Sequence, residues 1–108
     1  SNKYYLCNMK TTVFKLRSFG ENLGVRVLGE KVRQDLIATI ESSECVILDF
    51  EGVNVVSNSF ADECIAKLIP ILGFNKLKQK TTFRNINDFA RKNVLIALRR
   101  RLSIICSE

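Results

Sequence analysis

Two carboxylates stand close together at the end of an apolar run, in Leu48-Asp49-Phe50-Glu51. Carboxylate pairs serve as general acids and bases in many enzymes. Because side chains alternate along a strand, Asp49 and Glu51 would lie on the same face. That chemistry also needs a positioned nucleophile or base, and the chain has no histidine. We therefore favour an Asp49 that fixes a turn through nearby backbone groups, and we predict a protein that is not an enzyme and has no catalytic residue.

The four cysteines are the next reactive side chains, and they are Cys7, Cys45, Cys64 and Cys106. They lie far apart in the chain and form no CxxC pair, whereas zinc sites need clustered ligands. We expect no metal and no cofactor. Each cysteine sits in an apolar run, which is typical of a small buried side chain. A reactive thiol or a disulfide pair is the alternative, with Cys7 as the most exposed thiol.

Basic residues concentrate in the last third of the chain. The net charge is +6, and residues 76–108 carry nine Lys or Arg against two Asp or Glu. On a helix, consecutive residues lie about 100° apart, so Arg99 and Arg101 would flank an apolar stripe while Arg100 faces solvent. A basic patch of Lys92, Arg99 and Arg100 defines the alternative function, a small nucleic-acid-associated protein. Nucleic acid is the less favoured partner, because the sequence shows no aromatic stacking platform and no reader motif.

Hydrophobic periodicity predicts the elements that must position these residues. Lys3–Cys7 and Thr12–Arg17 alternate as strands do and could pair as a hairpin. Apolar residues recur at steps of three and four from Val25 to Glu41, which predicts an amphipathic helix. Cys45 to Leu48 is continuously apolar, as in a strand that is covered on both faces.

The second half of the chain reads in the same way. The pattern Ser59-Phe60-Ala61-Asp62 predicts a helix that Ser59 caps, and Pro70 should end or kink it. Lys78 to Arg84 reads as an edge strand. Residues 85–88 then supply the cap of a last helix that reaches about Ile105. Alternating helices and strands predict an α/β domain.

The stretch from Leu48 to Glu63 resembles the signature of STAS domains, the fold of anti-sigma factor antagonists. Leu48-Asp49-Phe50 corresponds to the end of the strand, Gly52-Val53 to the turn, and Ser57-Asn58-Ser59 to the start of the following helix. With the earlier Phe19-Gly20 and Arg26, the pattern is closer still to the STAS-like domain family of unknown function. The resemblance implies an α/β fold in which a STAS-like mixed β-sheet packs against a layer of three helices.

The resemblance also implies a binding partner and a switch. STAS antagonists dock onto a histidine-kinase-like ATPase or a related regulator, and the kinase phosphorylates a serine that follows an aspartate. In this chain the acceptor position is Asn58, which has no hydroxyl group. Ser57 and Ser59 are the neighbouring candidates for phosphorylation, although Asp62 and Glu63 would repel a phosphate on Ser59. We favour a structural role for Ser59.

A docking surface is predicted at the loop and helix that follow the central strand. Its residues are Asn54, Ser57, Asn58, Ser59, Phe60, Asp62, Glu63 and Lys67, and the motif turn beside it comprises Asp49, Gly52 and Val53. The helix is apolar around most of its circumference, more than one core-facing stripe requires. Either its own domain surrounds it, or part of it is a partner surface. Arg26 should form an ion pair at the surface.

The length and hydropathy pattern complete the expectations. Residues 3–108 should form one domain, and Ser1 and Asn2 could be a cloning remnant. No apolar run approaches the ~20 residues of a membrane-spanning helix, and no leader pattern is visible. We expect a soluble, cytoplasmic protein that acts as a protein-interaction module in bacterial signalling, with no membrane partner. The sequence does not predict the oligomeric state.

Overall fold

Three parallel strands form the main sheet of the protein. The computed structural model describes residues 10–106, and in that part of the chain the sheet consists of β1 (Thr11–Lys15), β3 (Cys45–Asp49) and β5 (Thr81–Arg84). The strand order is β1-β3-β5, so β5 lies at an edge, as predicted.

Two shorter strands form a separate parallel pair. They are β2 (Asn22–Leu23) and β4 (Val55–Val56). The N–H of Ser57 extends this pairing with a 3.0 Å hydrogen bond to the carbonyl of Leu23. This small sheet brings the loop before the first helix next to the loop that follows β3.

In the described residues 10–106, four helical segments longer than a single 3₁₀ turn connect and cover the strands. They are α1 (Arg26–Glu41), α2 (residues 58–72), α3 (Phe74–Lys80) and α4 (Asp88–Cys106). α1 begins and ends within one residue of the predicted helix. The side chain of Asn87 caps α4, because its Oδ1 accepts a 2.8 Å hydrogen bond from the N–H of Ala90.

α2 changes its winding along its length. Asn58–Ala61 is α-helical, Asp62–Ala66 is π-helical and Leu68–Leu72 is α-helical again. In the π-helical part the N–H of Lys67 bonds to the carbonyl of Asp62, five residues earlier, at 3.0 Å. Pro70 does lie near the end of the helix, two residues before Leu72.

The core lies between one face of the main sheet and the helices. The strand register aligns Phe14, Leu48 and Phe83 on that face. Leu48 is almost completely buried, whereas Val13 on the opposite face is 39% exposed. The face that packs against the helices is therefore the more apolar and the better covered one. Burial of each large apolar side chain contributes roughly 1.5–3 kcal/mol.

The predicted fold class is confirmed, with three local corrections. The described strands pair only in parallel, and the predicted strand Lys3–Cys7 lies outside the described residues. β1 stops at Lys15, because Leu16–Phe19 turns as a 3₁₀ helix. The predicted strand from Lys78 begins only at Thr81, since the preceding residues end α3, a helix beyond the three that were expected. Among residues 10–106, no helix has both the length and the hydropathy to cross a bilayer.

Candidate functional site

The turn after β3 is held by Asp49. Its carboxylate accepts hydrogen bonds from the side-chain amide of Asn85 (3.0 Å), the N–H of Glu51 (3.1 Å) and the guanidinium of Arg84 (3.1 Å). These bonds, with that of Asn85 foremost, lower the pKa of Asp49 below its ordinary value. The three donors therefore stabilise the ionised form of a largely buried carboxylate. Asp49 has the turn-fixing role that the sequence favours.

Gly52 and Val53 complete this turn. Gly52 has a φ of 80°, and a Cβ atom there would lie 3.2 Å from Cδ of Arg17. Glycine is therefore favoured both by the backbone conformation and by the close approach of a side chain. The amide of Asn87 donates to the carbonyls of Val53 (3.3 Å) and Asn54 (3.0 Å). These bonds tie the turn to the start of α4.

Ser57 caps α2, and the prediction that Ser59 does so is wrong. The Oγ of Ser57 accepts a 3.0 Å hydrogen bond from the N–H of Phe60 and donates a 2.8 Å bond to the carbonyl of Gly24. The capping residue is the one before the first helical residue, and the helix begins at Asn58. The hydroxyl of Ser57 thus fixes both the helix start and the loop before α1.

The predicted docking residues divide into a buried and an exposed group. Phe60 is completely buried and Glu63 is 6% exposed, so a partner that docks on this conformation can contact neither side chain to any extent. A surface role for Phe60 is therefore wrong. The domain itself surrounds most of α2, which is the first of the two alternatives for its wide apolar face. The accessible or half-accessible members are Asn54, Ser57, Asn58, Ser59, Asp62 and Lys67.

Asp62 is held by arginines from two helices. Arg101 on α4 donates from Nε to Oδ1 and from Nη2 to Oδ2, both at 2.8 Å. Arg26 at the start of α1 donates from Nη1 to Oδ2 at 2.9 Å. The two-point contact of Arg101 is the geometry in which guanidinium and carboxylate bind each other most strongly. Asp62 therefore joins α1, α2 and α4.

Glu63 is nearly buried and forms ion pairs with three basic side chains. Its Oε2 lies 2.8 Å from Nη1 of Arg33 and 3.0 Å from Nζ of Lys67, and its Oε1 lies 3.1 Å from Nη1 of Arg26. Arg33 also donates to the carbonyl of Glu63. Gly29 lets α1 approach this closely, because a Cβ there would lie only 3.0 Å from Cβ of Glu63.

The arginines keep both carboxylates ionised. For Asp62, the hydrogen bonds of Arg101 are the largest influence and lower the pKa to about 2. For Glu63, burial is the largest influence and would raise the pKa, but the bonds from Arg33, Lys67 and Arg26 together outweigh it and lower the pKa to about 2. The surface ion pair predicted for Arg26 is confirmed.

A polar cleft opens beside this network, and we call it the α2 cleft. Its volume is about 290 Å³. Its walls are formed by Arg26, Asn58, Ser59, Asp62, Ala97, Arg100, Arg101 and Ile104. Three arginines against one aspartate give the lining a net charge of +2. The cleft therefore presents hydroxyl and amide groups in a positive field.

One exposed apolar side chain lines the α2 cleft, and two others precede and follow one of its lining residues in the chain. Ile104 in its wall is 55% exposed. Val25 and Val27, the neighbours of Arg26 in the chain, are 61% and 80% exposed. Exposed apolar groups beside a polar rim are a feature of surfaces that bind proteins.

One family matches the chain from within α1 to the start of α4. The model of the family described as STAS-like domain of unknown function (DUF4325) matches residues 29–89, more than half of the 108 residues. The chain belongs to this STAS-like family. No curated protein and no solved structure matches it. The matched region of the STAS-like domain includes the Asp49 turn, the Ser57 cap and both carboxylates of the ion-pair network.

The basic residues of the alternative function line two clefts of this STAS-like domain. Lys92 and Arg99 line one shallow groove on α4 with Arg91, as their predicted common face requires. Arg100 instead lines the α2 cleft. All three side chains of the predicted patch are exposed, and Arg100 lines a different cleft from the other two.

The cysteines of the STAS-like domain have different surroundings. Cys64 is completely buried, and burial raises the pKa of its thiol to about 12. Cys45 is exposed, which corrects the prediction of a buried side chain. It lies at the start of β3, on the less covered face of the main sheet. Cys7 lies outside the described residues, as does the side chain of Cys106. Within the described part of the chain, no group of three metal-ligating side chains could hold an ion.

Sequence reasoning missed Gly29 and Arg33 as members of the site. Arg26, Gly29 and Arg33 are separated by three and four residues, so they share one face of α1. A polar stripe interrupted by glycine indicates that a neighbouring helix with opposite charges approaches closely. That spacing was the available signal.

Proposed function

We propose that this STAS-like domain is a non-enzymatic protein-interaction module in bacterial signalling or regulation. Its partner is a histidine-kinase-like ATPase or a related regulator, and the module acts with that partner in the cytoplasm. The observation that carries the proposal is the α2 cleft with the exposed Ile104 in its wall. It lies at the helix start where the resemblance to STAS antagonists implies docking.

The chemistry of the surface defines the partner. The lining of the cleft is positive, so the complementary surface should carry carboxylates. Ile104 supplies an apolar contact of the kind that such a complex needs beside its polar groups. Charge complementarity would mainly raise the association rate and select the partner. A partner with an acidic ridge between apolar residues fits these requirements.

The ion-pair network supports docking by making the surface rigid. Asp62 and Glu63 bind Arg26, Arg33, Lys67 and Arg101, and none of these contacts needs the partner. A surface that is already ordered loses less conformational entropy on binding. Arg100 is exposed, and no ion pair to a described carboxylate holds it. We therefore expect Arg100 to be the arginine that pairs with the partner.

Any regulatory phosphorylation is expected at Ser59 rather than at Ser57. The hydroxyl of Ser57 already makes two hydrogen bonds inside the domain. Ser59 lines the α2 cleft, where Arg26, Arg100 and Arg101 surround the position. The carboxylate of Asp62 is neutralised by its own arginines, so it opposes a phosphate less than the sequence suggested. Phosphate on Ser59 would make the cleft less positive and weaken docking of an acidic partner.

Calorimetric titration against a purified histidine-kinase-like ATPase encoded beside this chain would test the proposal. Arg100→Glu and Ile104→Asp should each weaken binding about tenfold or more, because the first reverses a charge and the second removes an apolar contact in the cleft wall. Lys92→Glu is the matched control, since it changes the same charge on α4 in the other groove. Circular dichroism should show that all three variants fold.

Two results would contradict this proposal. The first is equal weakening by Lys92→Glu and Arg100→Glu, which would indicate a general charge effect. The second is full binding by both Arg100→Glu and Ile104→Asp, which would place the partner elsewhere on the domain.

A further inference from the structure

A second cavity is lined by residues from the later part of α2, whereas the polar cleft is lined by residues near its start, and we call this second cavity the β5 cavity. It is bounded by the edge strand β5, by α3 and by α4. Its volume is about 320 Å³, at the lower end of the roughly 300–1,000 Å³ of small-molecule sites. A cavity of about 150 Å³ in another protein holds benzene. The β5 cavity therefore has room for a ligand of about twice that size.

The walls of the β5 cavity are largely hydrocarbon. Leu48 and Leu68 are fully buried at its floor, and Ile65 is 2% exposed. Phe74 and Phe83 are only half-buried, so two aromatic rings remain partly accessible to water. A ligand that covered these rings would gain the free energy of removing apolar surface from water.

One basic side chain, that of Lys78, lines this apolar cavity. The Nζ of Lys78 lies 5.7 Å from the ring centroid of Phe74, over its face. Among residues 10–106, no carboxylate lies within 4.0 Å of that ammonium group. Contact with the ring holds the lysine side chain near the cavity. The charge of Lys78 is thus positioned but is not neutralised by the domain.

Two threonines add a little hydrogen-bonding capacity. The hydroxyl of Thr81 donates a 2.6 Å bond to the carbonyl of Leu77, which leaves its oxygen able to accept only. Thr82 is exposed at the edge strand. The site therefore combines an apolar interior, one cation and few other polar groups, a composition that is usual for small-molecule pockets.

We propose that the β5 cavity binds a small amphiphilic carboxylate, with its hydrocarbon part between α3, α4 and the sheet and its carboxylate on Lys78. Medium-chain and arylalkyl carboxylates have this chemistry. The site is separate from the α2 cleft and goes beyond the proposed docking function. It shares only the helices α2 and α4 with that surface.

Titration of the full chain with octanoate, followed by calorimetry and by amide shifts in nuclear magnetic resonance spectra, tests the proposal. We expect saturable binding, with shifts concentrated in α3 and β5. Neutral 1-octanol should bind about tenfold more weakly, because it lacks the charge-assisted contact. Lys78→Met should remove that difference and leave the octanol affinity unchanged.

The matched control is Lys76→Met, an exposed lysine of α3 that does not line the cavity. It should bind octanoate as the wild-type chain does. Leu98→Trp should fill the cavity and abolish binding of both probes. If that variant does not fold, the two lysine variants still decide the question, since both positions are exposed.

Three outcomes would overturn the proposal. One is no octanoate binding at millimolar concentration. Another is an equal loss of affinity in Lys76→Met and Lys78→Met. The third is a set of amide shifts centred on Arg26 and Arg100, which would assign octanoate binding to the α2 cleft.

Discussion

Gly29→Ala is the substitution that most directly tests the packing of α1 against α2. A Cβ atom at residue 29 would lie 3.0 Å from Cβ and 3.3 Å from Cγ of Glu63, and 3.3 Å from the carbonyl oxygen of Phe60. In an isolated helix, alanine would be favoured over glycine by about 1 kcal/mol. Overpacking a tight contact costs about 1–3 kcal/mol.

The neighbours decide which of these effects is larger. Glu63 cannot move away without weakening its bonds to Arg33, Arg26 and Lys67, and the Phe60 oxygen belongs to the backbone of a fully buried residue. We therefore expect an overpacking cost of about 2–3 kcal/mol, which after the gain of about 1 kcal/mol from alanine leaves a net loss of about 1–2 kcal/mol in the free energy of unfolding. In a domain of this size, this would lower the melting temperature by several degrees, at roughly 4–8 °C per kcal/mol.

Urea denaturation followed by far-ultraviolet circular dichroism measures this loss. Gly24→Ala is the control, because nothing lies within 4 Å of a Cβ there, and its stability should change by less than about 0.5 kcal/mol. If Gly29→Ala were as stable as the wild-type chain or more so, the helices could separate without cost. The argument from the fixed position of Glu63 would then be refuted.

Two further predictions concern the helix cap and the buried charges. Ser57→Ala should lower the free energy of unfolding by about 1–2 kcal/mol through the loss of two hydrogen bonds, whereas Ser59→Ala should have little effect; the opposite ranking in urea melts would return the cap to Ser59. Because the pKa values of Asp62 and Glu63 are about 2 in the folded state against 3.8 and 4.5 ordinarily, their contribution is complete above about pH 5 and is lost as the pH falls towards 2. Urea melts should show a loss on the order of 3 kcal/mol over that range, and a Glu63→Gln variant whose loss were equally steep would contradict this assignment.

The long elements could be predicted because their signals are periodic and local. The apolar spacing of α1 indicated its bounds to within one residue, and the capping residues 85–88 indicated the start of α4. The Asp49 turn could be recognised because an acidic residue and a glycine directly follow the apolar run of β3. These features depend on interactions between residues that are close in the chain, so they leave a pattern in the sequence.

The start of α2 was placed wrongly because a sequence pattern had two interpretations. Asp62 three residues after Ser59 matches a capping box, but the structure commits Asp62 to Arg26 and Arg101, which are distant in the chain. Ser57 is followed by no acid at that spacing. Its hydroxyl bonds to the carbonyl of Gly24 only because β2 and β4 pair. Two-residue strands of this kind leave almost no periodic signal.

α3 was missed because the alternating residues before β5 suggest a strand. The residues just before β5 are all polar and are exposed or half-exposed, as at Lys78, Gln79 and Lys80. A run of polar residues at the surface does not distinguish a strand from a helix. The better signal was the three-residue spacing of Phe74 and Leu77, which places both on one helical face towards the core. That face also forms part of the β5 cavity.

The π-helical stretch of α2 has a consequence for chain length. One extra residue within a helix rotates everything beyond it by about 100°. A helical-wheel projection of residues 58–72 with regular α-helical winding therefore misplaces the residues after the π-helical stretch relative to those before it. Deleting one residue between Asp62 and Ala66 would restore regular winding, but it would turn the carboxylates away from α1 and α4 or the apolar residues away from the sheet. Relatives that are one residue shorter here should also have lost the arginine partners of Asp62 and Glu63. The deletion in α2 and the loss of these arginines should therefore occur in the same sequences.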